Sequence, residues 1–213
     1  MHTFYFQQLL SLTLIYLLGI MAPGADFAVT IRQSLSFGKR TGVITVIGIG
    51  SGISVHVFYT LIGVGVLLRT QPTLFSIVKV ISAAYMLYLG VKFIRSQPKI
   101  SGLNTTAINQ KMHPSPLRSF IIGFLTNATN PKATLLILAV FMTIVAAKTP
   151  IEIQIIYGLW MCAIAIGWFV AVSLLFSSHA IRRGFFNIGH WIERGMGILL
   201  ISFAVNLLIN NVK

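Results

Sequence analysis

The chain contains long stretches without a formal charge, and this feature limits what it can fold into. Neither Thr41–Leu68 nor Ile153–Ser178 contains a Lys, Arg, Asp or Glu. Over the whole sequence 56% of the residues are hydrophobic and only 9% are charged, whereas soluble domains have about 25% charged residues. A soluble protein needs more polar surface than this chain provides, so we expect lipid to cover much of it.

Six segments of the sequence are long and apolar enough to form transmembrane helices, which need about 20 apolar residues each. They are roughly 4–21, 41–68, 74–94, 118–147, 151–178 and 191–210. The sequence therefore predicts an all-α integral membrane protein with six transmembrane helices. The polar segment 96–117 is expected to be a linker between two three-helix halves, residues 1–95 and 118–213.

Basic residues between these segments predict the orientation in the membrane. The net charge is +13, from 16 Lys and Arg against 3 acidic residues. Basic residues cluster in the connections 22–40, 95–117 and 179–194. Because cytoplasmic loops carry an excess of Lys and Arg, we expect these connections in the cytoplasm and both termini outside it. Three helices per half also give the second half the inverted orientation, so the halves form two inverted repeats.

The composition argues against several other classes of protein. The basic residues occur singly or in pairs, without the interleaved aromatic residues of a nucleic-acid-binding stripe, so no nucleic-acid partner is expected. Cys162 is the only cysteine, and the His and acidic residues are scattered, so no disulfide framework or metal site is predicted. No nucleotide-binding or catalytic motif is visible, and no cofactor is expected.

Two of the hydrophobic segments are interrupted by a proline with small or polar neighbours. Pro23 lies within Gly19–Asp26, and Pro131 lies within Asn127–Thr134, about half a chain further on. Each half of the sequence therefore contains one copy of the interruption. Matching interruptions in the two halves of a secondary transporter indicate the substrate site.

Each proline can begin a half-helix inside the membrane. Proline is favoured at the first position of a helix, and Asn before it is a good N-cap. Asn130-Pro131 has this pattern, whereas Ala22-Pro23 is a weaker version in which Gly24 permits close approach of the backbone. Because the N-terminal end of a helix attracts anions, we expect the backbone amides after Pro23 and Pro131 to bind a carboxylate.

Two charged residues follow these prolines at short spacing. Asp26 is the only acidic residue in the first half of the chain, and an ionisable residue at membrane depth indicates a function. It is expected to bind a substrate ammonium or to carry a coupled proton; alternatively it is an interfacial residue stabilised by the helix dipole or by Arg32. Lys132 has the matching place in the second copy, where it provides a positive charge or extends to the membrane surface.

Polar residues near the two motifs complete the predicted site. The amides of Asn127 and Asn130 can contact either end of a zwitterion. His56, within the second hydrophobic segment, is either satisfied inside the helix bundle or part of a proton relay. The predicted proton-coupling residues are therefore Asp26 and His56. The predicted substrate-binding residues are Pro23, Gly24, Asp26, Asn127, Asn130, Pro131 and Lys132.

These motifs resemble those of the lysine-exporter (LysE-type) superfamily, and most closely its homoserine/threonine exporter (RhtB-like) branch. The resemblance extends over essentially the whole chain and includes the segments Pro23–Asp26, Gly38–Gly42, Ala84–Gly90, Gly123–Asn127 and Asn130–Ala133. It implies a six-span exporter of amino acids or their derivatives in the bacterial inner membrane, working by proton antiport. The family motif usually reads Pro-Gly-Pro-Asp, and here Ala25 replaces its second proline.

Three other functions fit the sequence less well, and no enzymatic activity is expected. A divalent-cation exporter of related architecture would need several acidic, His or Cys residues in the membrane. An enzyme acting on lipids would need an acid–base pair at the interface, where only Glu152 and Glu193 lie. A non-catalytic membrane scaffold would leave the paired prolines and Asp26 unexplained. The small-residue faces of the segments also permit a homodimer.

Overall fold

The protein is helical throughout most of the part that this computed structural model describes. The described residues are 2–70, 72–95, 113–145, 149–175, 190–191, 194–195, 197–205 and 208–209. The helices are α1 (His2–Met21), α2 (Ala25–Phe37), α3 (Lys39–Thr70), α4 (Pro72–Ile94), α5 (Pro116–Ala128), α6 (Pro131–Ile144) and α7 (Ile151–Leu175). The described residues between 190 and 209 are helical as well.

Four of these helices are long and apolar enough to cross a membrane. Their qualifying spans are Thr3–Met21, Lys39–Gly63, Ser76–Ile94 and Ile151–Leu175. They coincide with four of the six predicted segments, so the prediction of an all-α membrane protein is confirmed for the described residues. The predicted linker 96–117 and the basic connection 179–194 lie largely outside those residues.

The fourth predicted segment, 118–147, forms two helices, with the break at the predicted interruption. α5 ends at Ala128, and α6 begins with Pro131 at its first position. The side chain of Asn130 accepts a hydrogen bond from the backbone N–H of Lys132 at 3.0 Å. The predicted N-cap and the predicted half-helix start at Pro131 are therefore confirmed.

The first predicted segment ends where expected, and the helix that follows it takes up most of the connection 22–40. α1 ends at Met21, and α2 begins at Ala25 with Gly24 as its N-cap. The predicted half-helix thus begins two residues after Pro23. Much of the expected connection 22–40 is helical because its residues recur at the helical spacing of one buried face. These buried residues are Phe27, Thr30, Ile31, Gln33 and Ser34.

α1 and α2 together run along the length of α7. The Tyr157 hydroxyl, near the start of α7, lies 3.2 Å from Gln8 Oε1 on α1. Near the end of α7, Ser173 Oγ lies 2.8 Å from Ser34 Oγ on α2. α1 therefore covers one part of α7 and α2 covers the other, so the pair is equivalent to one interrupted helix.

α5 and α6 form a second interrupted helix that runs in the opposite direction. Gln8, near the start of α1, donates from Nε2 to the carbonyl of Ile144 at the end of α6, at 3.0 Å. Near the other end of α1, Gly19 packs against Leu136 in the second turn of α6. Because α1 and α6 are antiparallel, the break after α1 lies beside the break before α6.

Two glycines allow α3 and α5 to touch through their backbones. A Cβ atom on Gly48 would overlap the carbonyl oxygen of Phe120, and one on Gly123 would overlap the carbonyl oxygen of Thr45. Backbone atoms cannot move aside as a flexible side chain does. Such close contact through small residues is a common way for helices to associate in membranes, where dispersion replaces the hydrophobic effect.

We predict that Gly123→Ala destabilises the bundle, because the added methyl group would separate α3 from α5. Overpacking of this kind costs about 1–3 kcal/mol, and thermal unfolding of the detergent-purified protein measures it. Gly167→Ala is the matched control, since a Cβ there has no neighbour within 4 Å among the described residues. An equal fall in melting temperature for both variants would contradict the contact.

Candidate functional site

The carboxylate of Asp26 links the two helix breaks. Asp26 lies in the first turn of α2, and its Oδ2 accepts hydrogen bonds from Asn127 Nδ2 at 3.0 Å and Asn130 Nδ2 at 3.1 Å. Asn127 belongs to the last turn of α5, and Asn130 is the N-cap of α6. One carboxylate oxygen therefore joins the first half of the chain to the second.

Lys132 makes the reciprocal connection from α6 to the end of α1. Its Nζ donates to the carbonyl oxygen of Ala22 at 2.7 Å. The last carbonyls of a helix have no partner within that helix, and a positive charge there is favoured by the helix dipole. Gly24 leaves room for this arrangement, because a Cβ on it would lie 3.3 Å from Lys132 Nζ. Lys132 thus lies within the bundle, against the first break.

His56 connects α3 to the second break through both ring nitrogens. Its Nε2 is 2.8 Å from the backbone carbonyl oxygen of Asn127. A carbonyl only accepts, so Nε2 carries a proton, and Nδ1 of the neutral ring accepts from a hydroxyl. The hydroxyls in reach are those of Tyr59 at 2.5 Å and Thr134 at 3.3 Å. His56 is therefore satisfied inside the bundle and also lies beside the site.

Two buried oxygen atoms at the site have no hydrogen-bond partner among the described residues. They are Asp26 Oδ1 and Asn127 Oδ1, and Asn127 is only 1% exposed. An unpaired buried acceptor costs about 1–3 kcal/mol. These two atoms therefore indicate a ligand that donates hydrogen bonds.

Asp26 and Asn127 line a small cavity together with Lys132 and Tyr16. Its other walls are apolar or glycine residues, namely Gly19, Ile20, Ala22, Gly24, Phe27, Ile53, Ala133, Leu136, Ile137 and Phe169. The cavity volume is about 20 Å³, which is space for about one water molecule. A larger ligand therefore requires the walls of the cavity to move apart.

The N-termini of α2 and α6 differ in how their backbone amides are satisfied. At α6 the side chain of Asn130 already accepts from the Lys132 amide. At α2 the N-cap is Gly24, which has no side chain to accept from the first turn. The backbone amides after both prolines were expected to bind an anion. The first turn of α2 is better suited to this than that of α6, because no side chain caps its amides.

Most of the predicted site residues meet at this place. Gly24, Asp26, Asn127, Asn130, Lys132 and His56 are brought together by the contacts above, and Pro23 and Pro131 flank them. The side-chain amides of Asn127 and Asn130 donate to Asp26. That these two residues orient a substrate stays a prediction. Arg32, the alternative partner of Asp26, is exposed.

Sequence reasoning missed two residues that contact His56, Tyr59 and Thr134. Each lies about one helical turn from a predicted site residue, Tyr59 after His56 and Thr134 after Asn130. Residues three or four positions apart share a helix face, so this spacing was the available signal. Tyr and Thr are also ordinary residues of membrane helices, and the spacing alone does not distinguish them.

Comparison with known proteins gives a family and several relatives of nearly the same length. The family of LysE type translocators matches residues 17–211. The threonine efflux protein of Escherichia coli K12 is 26% identical over 94% of this chain and 97% of its own length. That of Salmonella typhi is 25% identical over 94% and 97%. An uncharacterised membrane protein of Haemophilus influenzae is 27% identical over 97% and 98%. No solved structure gives a significant match.

We predict that Lys132→Met destabilises the protein, because it leaves the buried Ala22 carbonyl without its donor. The expected loss is about 1–3 kcal/mol, measured by thermal unfolding in detergent. Lys39→Met is the matched control, since Lys39 is exposed at the start of α3. If both variants melt at the wild-type temperature, the Lys132 contact does not stabilise the break.

Proposed function

This chain belongs to the LysE family of translocators, and we propose that it exports an amino acid or an amino-acid derivative across the bacterial inner membrane. Members of this family are transporters and not enzymes. Two similar proteins are named threonine efflux proteins. The four long apolar helices fit a protein that crosses the membrane several times.

The observation that carries the proposal is the pair of unpartnered acceptors opposite a positive charge in one cavity. Asp26 Oδ1 and Asn127 Oδ1 need donors, and an α-ammonium group has three. Lys132 Nζ and the first-turn amides of α2 suit a carboxylate. An amino-acid zwitterion carries both groups close together, so its backbone matches the polar end of the cavity.

Lys132 belongs both to the break and to the cavity. Its ammonium bonds the Ala22 carbonyl, and its side chain lines the cavity together with Asp26. Asn130 holds the Asp26 carboxylate through Oδ2, so Oδ1 remains for the ligand. Pro23 and Pro131 contribute by interrupting the helices, which leaves backbone groups to be satisfied by side chains or substrate.

We further propose that the chain forms two inverted repeats of three membrane spans. The interrupted pair α1–α2 is followed by α3 and α4, and the pair α5–α6 is followed by α7 and the helical residues between 190 and 209. The two pairs run in opposite directions. Rocking of one repeat against the other would open the cavity to each side in turn. The basic connections then face the cytoplasm, and both termini lie outside it.

Proton antiport follows if a proton and the substrate compete for Asp26. A protonated carboxyl group no longer attracts an ammonium, so proton uptake on one side favours release of the substrate there.

His56 is the second proposed proton-coupling group. The charged or titratable side chains near it are Asp26 and Tyr59. Protonation of its Nδ1 would require Tyr59 or Thr134 to change from donor to acceptor.

We predict that Asp26→Asn abolishes export driven by the proton gradient and weakens substrate binding, while leaving the protein folded. Asn keeps the size and an acceptor oxygen but loses the charge, and a hydrogen bond to a charged group contributes about 1.5–3 kcal/mol. Binding should therefore weaken about tenfold to hundredfold. The measurement is efflux of labelled amino acids from proteoliposomes with and without a proton gradient.

Glu152→Gln is the matched control for this variant, because Glu152 is an exposed acid at the start of α7. Its export should equal that of the wild type. Export by Asp26→Asn at the wild-type rate across the pH range would remove Asp26 from the mechanism. The absence of any amino-acid efflux from the wild-type protein would contradict the proposed function itself.

We predict that comparing the variants His56→Gln and His56→Phe distinguishes a proton-coupling role of His56 from a purely structural role. Gln can donate to the Asn127 carbonyl but does not bind a proton near neutral pH, whereas Phe does neither. If His56 couples protons, the Gln variant exchanges substrate across the membrane but no longer responds to the proton gradient. A Gln variant with the wild-type gradient response would show that His56 acts only through its hydrogen bonds.

A further inference from the structure

A row of buried polar residues extends from Asp26 along one face of α2. Thr30, Gln33 and Ser34 follow Asp26 at spacings that return to the same side of a helix. They are 0%, 5% and 4% exposed. Thr30 donates to the Asp26 carbonyl and Ser34 to the Thr30 carbonyl, each at 2.7 Å. The row therefore leads from the site toward the end of the bundle where α2 ends and α3 begins.

The helices around this face of α2 bury four further polar residues, whereas those around α6 bury Gln8 and Ser82, with Thr149 beyond its end. On α3, α5 and α7 they are Thr41, Thr45, Ser119 and Ser173. In the other direction from the site, the buried residues of α6 itself are apolar, namely Ala133, Leu136, Ile137, Ala139, Val140, Phe141 and Met142. The bundle is thus more polar on the α2 side of the cavity than on the α6 side.

Gln33 provides an independent indication that this face accepts a polar ligand. Its Oε1 is buried and has no hydrogen-bond partner in the described part of the chain. Gln33 lies seven residues after Asp26, which is close to two full helical turns. Its unsatisfied oxygen therefore lies on the same side of α2 as the candidate site.

The polar row ends at a contact between three helices that leaves no free space. Ser34 Oγ and Ser173 Oγ are 2.8 Å apart. A Cβ on Gly42 would overlap both hydroxyl oxygens. α2, α3 and α7 are therefore in contact at this point.

We propose that the buried polar face of α2 is the route by which the amino acid moves between the site and the end of the bundle where α2 ends. The contact of Ser34, Ser173 and Gly42 is the constriction that closes this route in the conformation described. The inference rests on the proposed transport function, because only a transporter needs such a route. Thr30 and Gln33 provide the polar groups along which the zwitterion and its water pass.

A cysteine pair tests the constriction directly. In a Cys162→Ser background, Ser34→Cys and Ser173→Cys place two thiols where the hydroxyl oxygens are 2.8 Å apart, close to the about 2.05 Å of a disulfide bond. After oxidation with copper–phenanthroline, we expect export from proteoliposomes to fall to that of protein-free vesicles and to return on reduction with dithiothreitol. Oxidant should not change either single-cysteine variant. Undiminished export by protein shown to be cross-linked would overturn the proposal.

A labelling experiment tests the route without depending on transport or on the cysteine pair. Thr30→Cys in the Cys162→Ser background places a thiol at a position that is 0% exposed, between the constriction and the site. A membrane-impermeant maleimide is added from the side on which α2 ends. Adding Ser173→Ala should speed labelling at least tenfold, whereas adding Ser82→Ala, a buried serine of α4, should not. Equal rates for the two serine variants would overturn the route.

The two experiments also separate this inference from the proposed function. If the Cys162→Ser protein exports no amino acid but Ser173→Ala speeds labelling of Thr30→Cys, the proposed substrate is wrong and the route is supported. If the protein exports an amino acid and neither experiment shows the expected change, the function is supported and the route is wrong.

Discussion

The structure depends on how two interrupted helices satisfy each other. A broken helix is stable within a membrane only where protein or water replaces its lost hydrogen bonds. Lys132 on α6 bonds the carbonyl of Ala22, just after α1, and Asp26 on α2 accepts from the amides of Asn127 and Asn130. Each break therefore carries the charge that stabilises the other. The two halves of the chain are held together at the place where both helices are interrupted.

This mutual arrangement also explains how substrate binding can be linked to motion. The contacts between the breaks are made by a carboxylate and an ammonium, and an amino acid carries the same two groups. A bound zwitterion would contact the same two side chains, with its ammonium at Oδ1 of Asp26 and its carboxylate at Lys132. Since the cavity has room for about one water molecule, binding of an amino acid requires its walls to move apart. A ligand that prefers the wider state shifts the protein toward it.

Local chemistry made part of the site predictable, and packing decided the rest. The half-helix at Asn130-Pro131 follows from cap and proline preferences, and Asp26 stands out as a charge in apolar sequence. α2 lies in the connection 22–40, which its basic residues assigned to the cytoplasm; a half-helix was expected after Pro23, but the burial of α2 depends on packing against α3 and α7. The bond from Lys132 to the Ala22 carbonyl depends on how α1 and α6 face each other, which residue spacing does not specify.

The most direct test of the central claim is calorimetric binding to the purified protein of a transported amino acid and two modified forms of it. N-acetylation removes the ammonium, and methyl esterification removes the carboxylate. If Asp26 and Lys132 bind the two ends of a zwitterion, each modification weakens binding, by about tenfold to hundredfold for the loss of a charged hydrogen bond. Asp26→Asn should then lose most of its discrimination against the N-acetyl form. Equal affinity of the wild type for the free and N-acetylated amino acid would contradict the account.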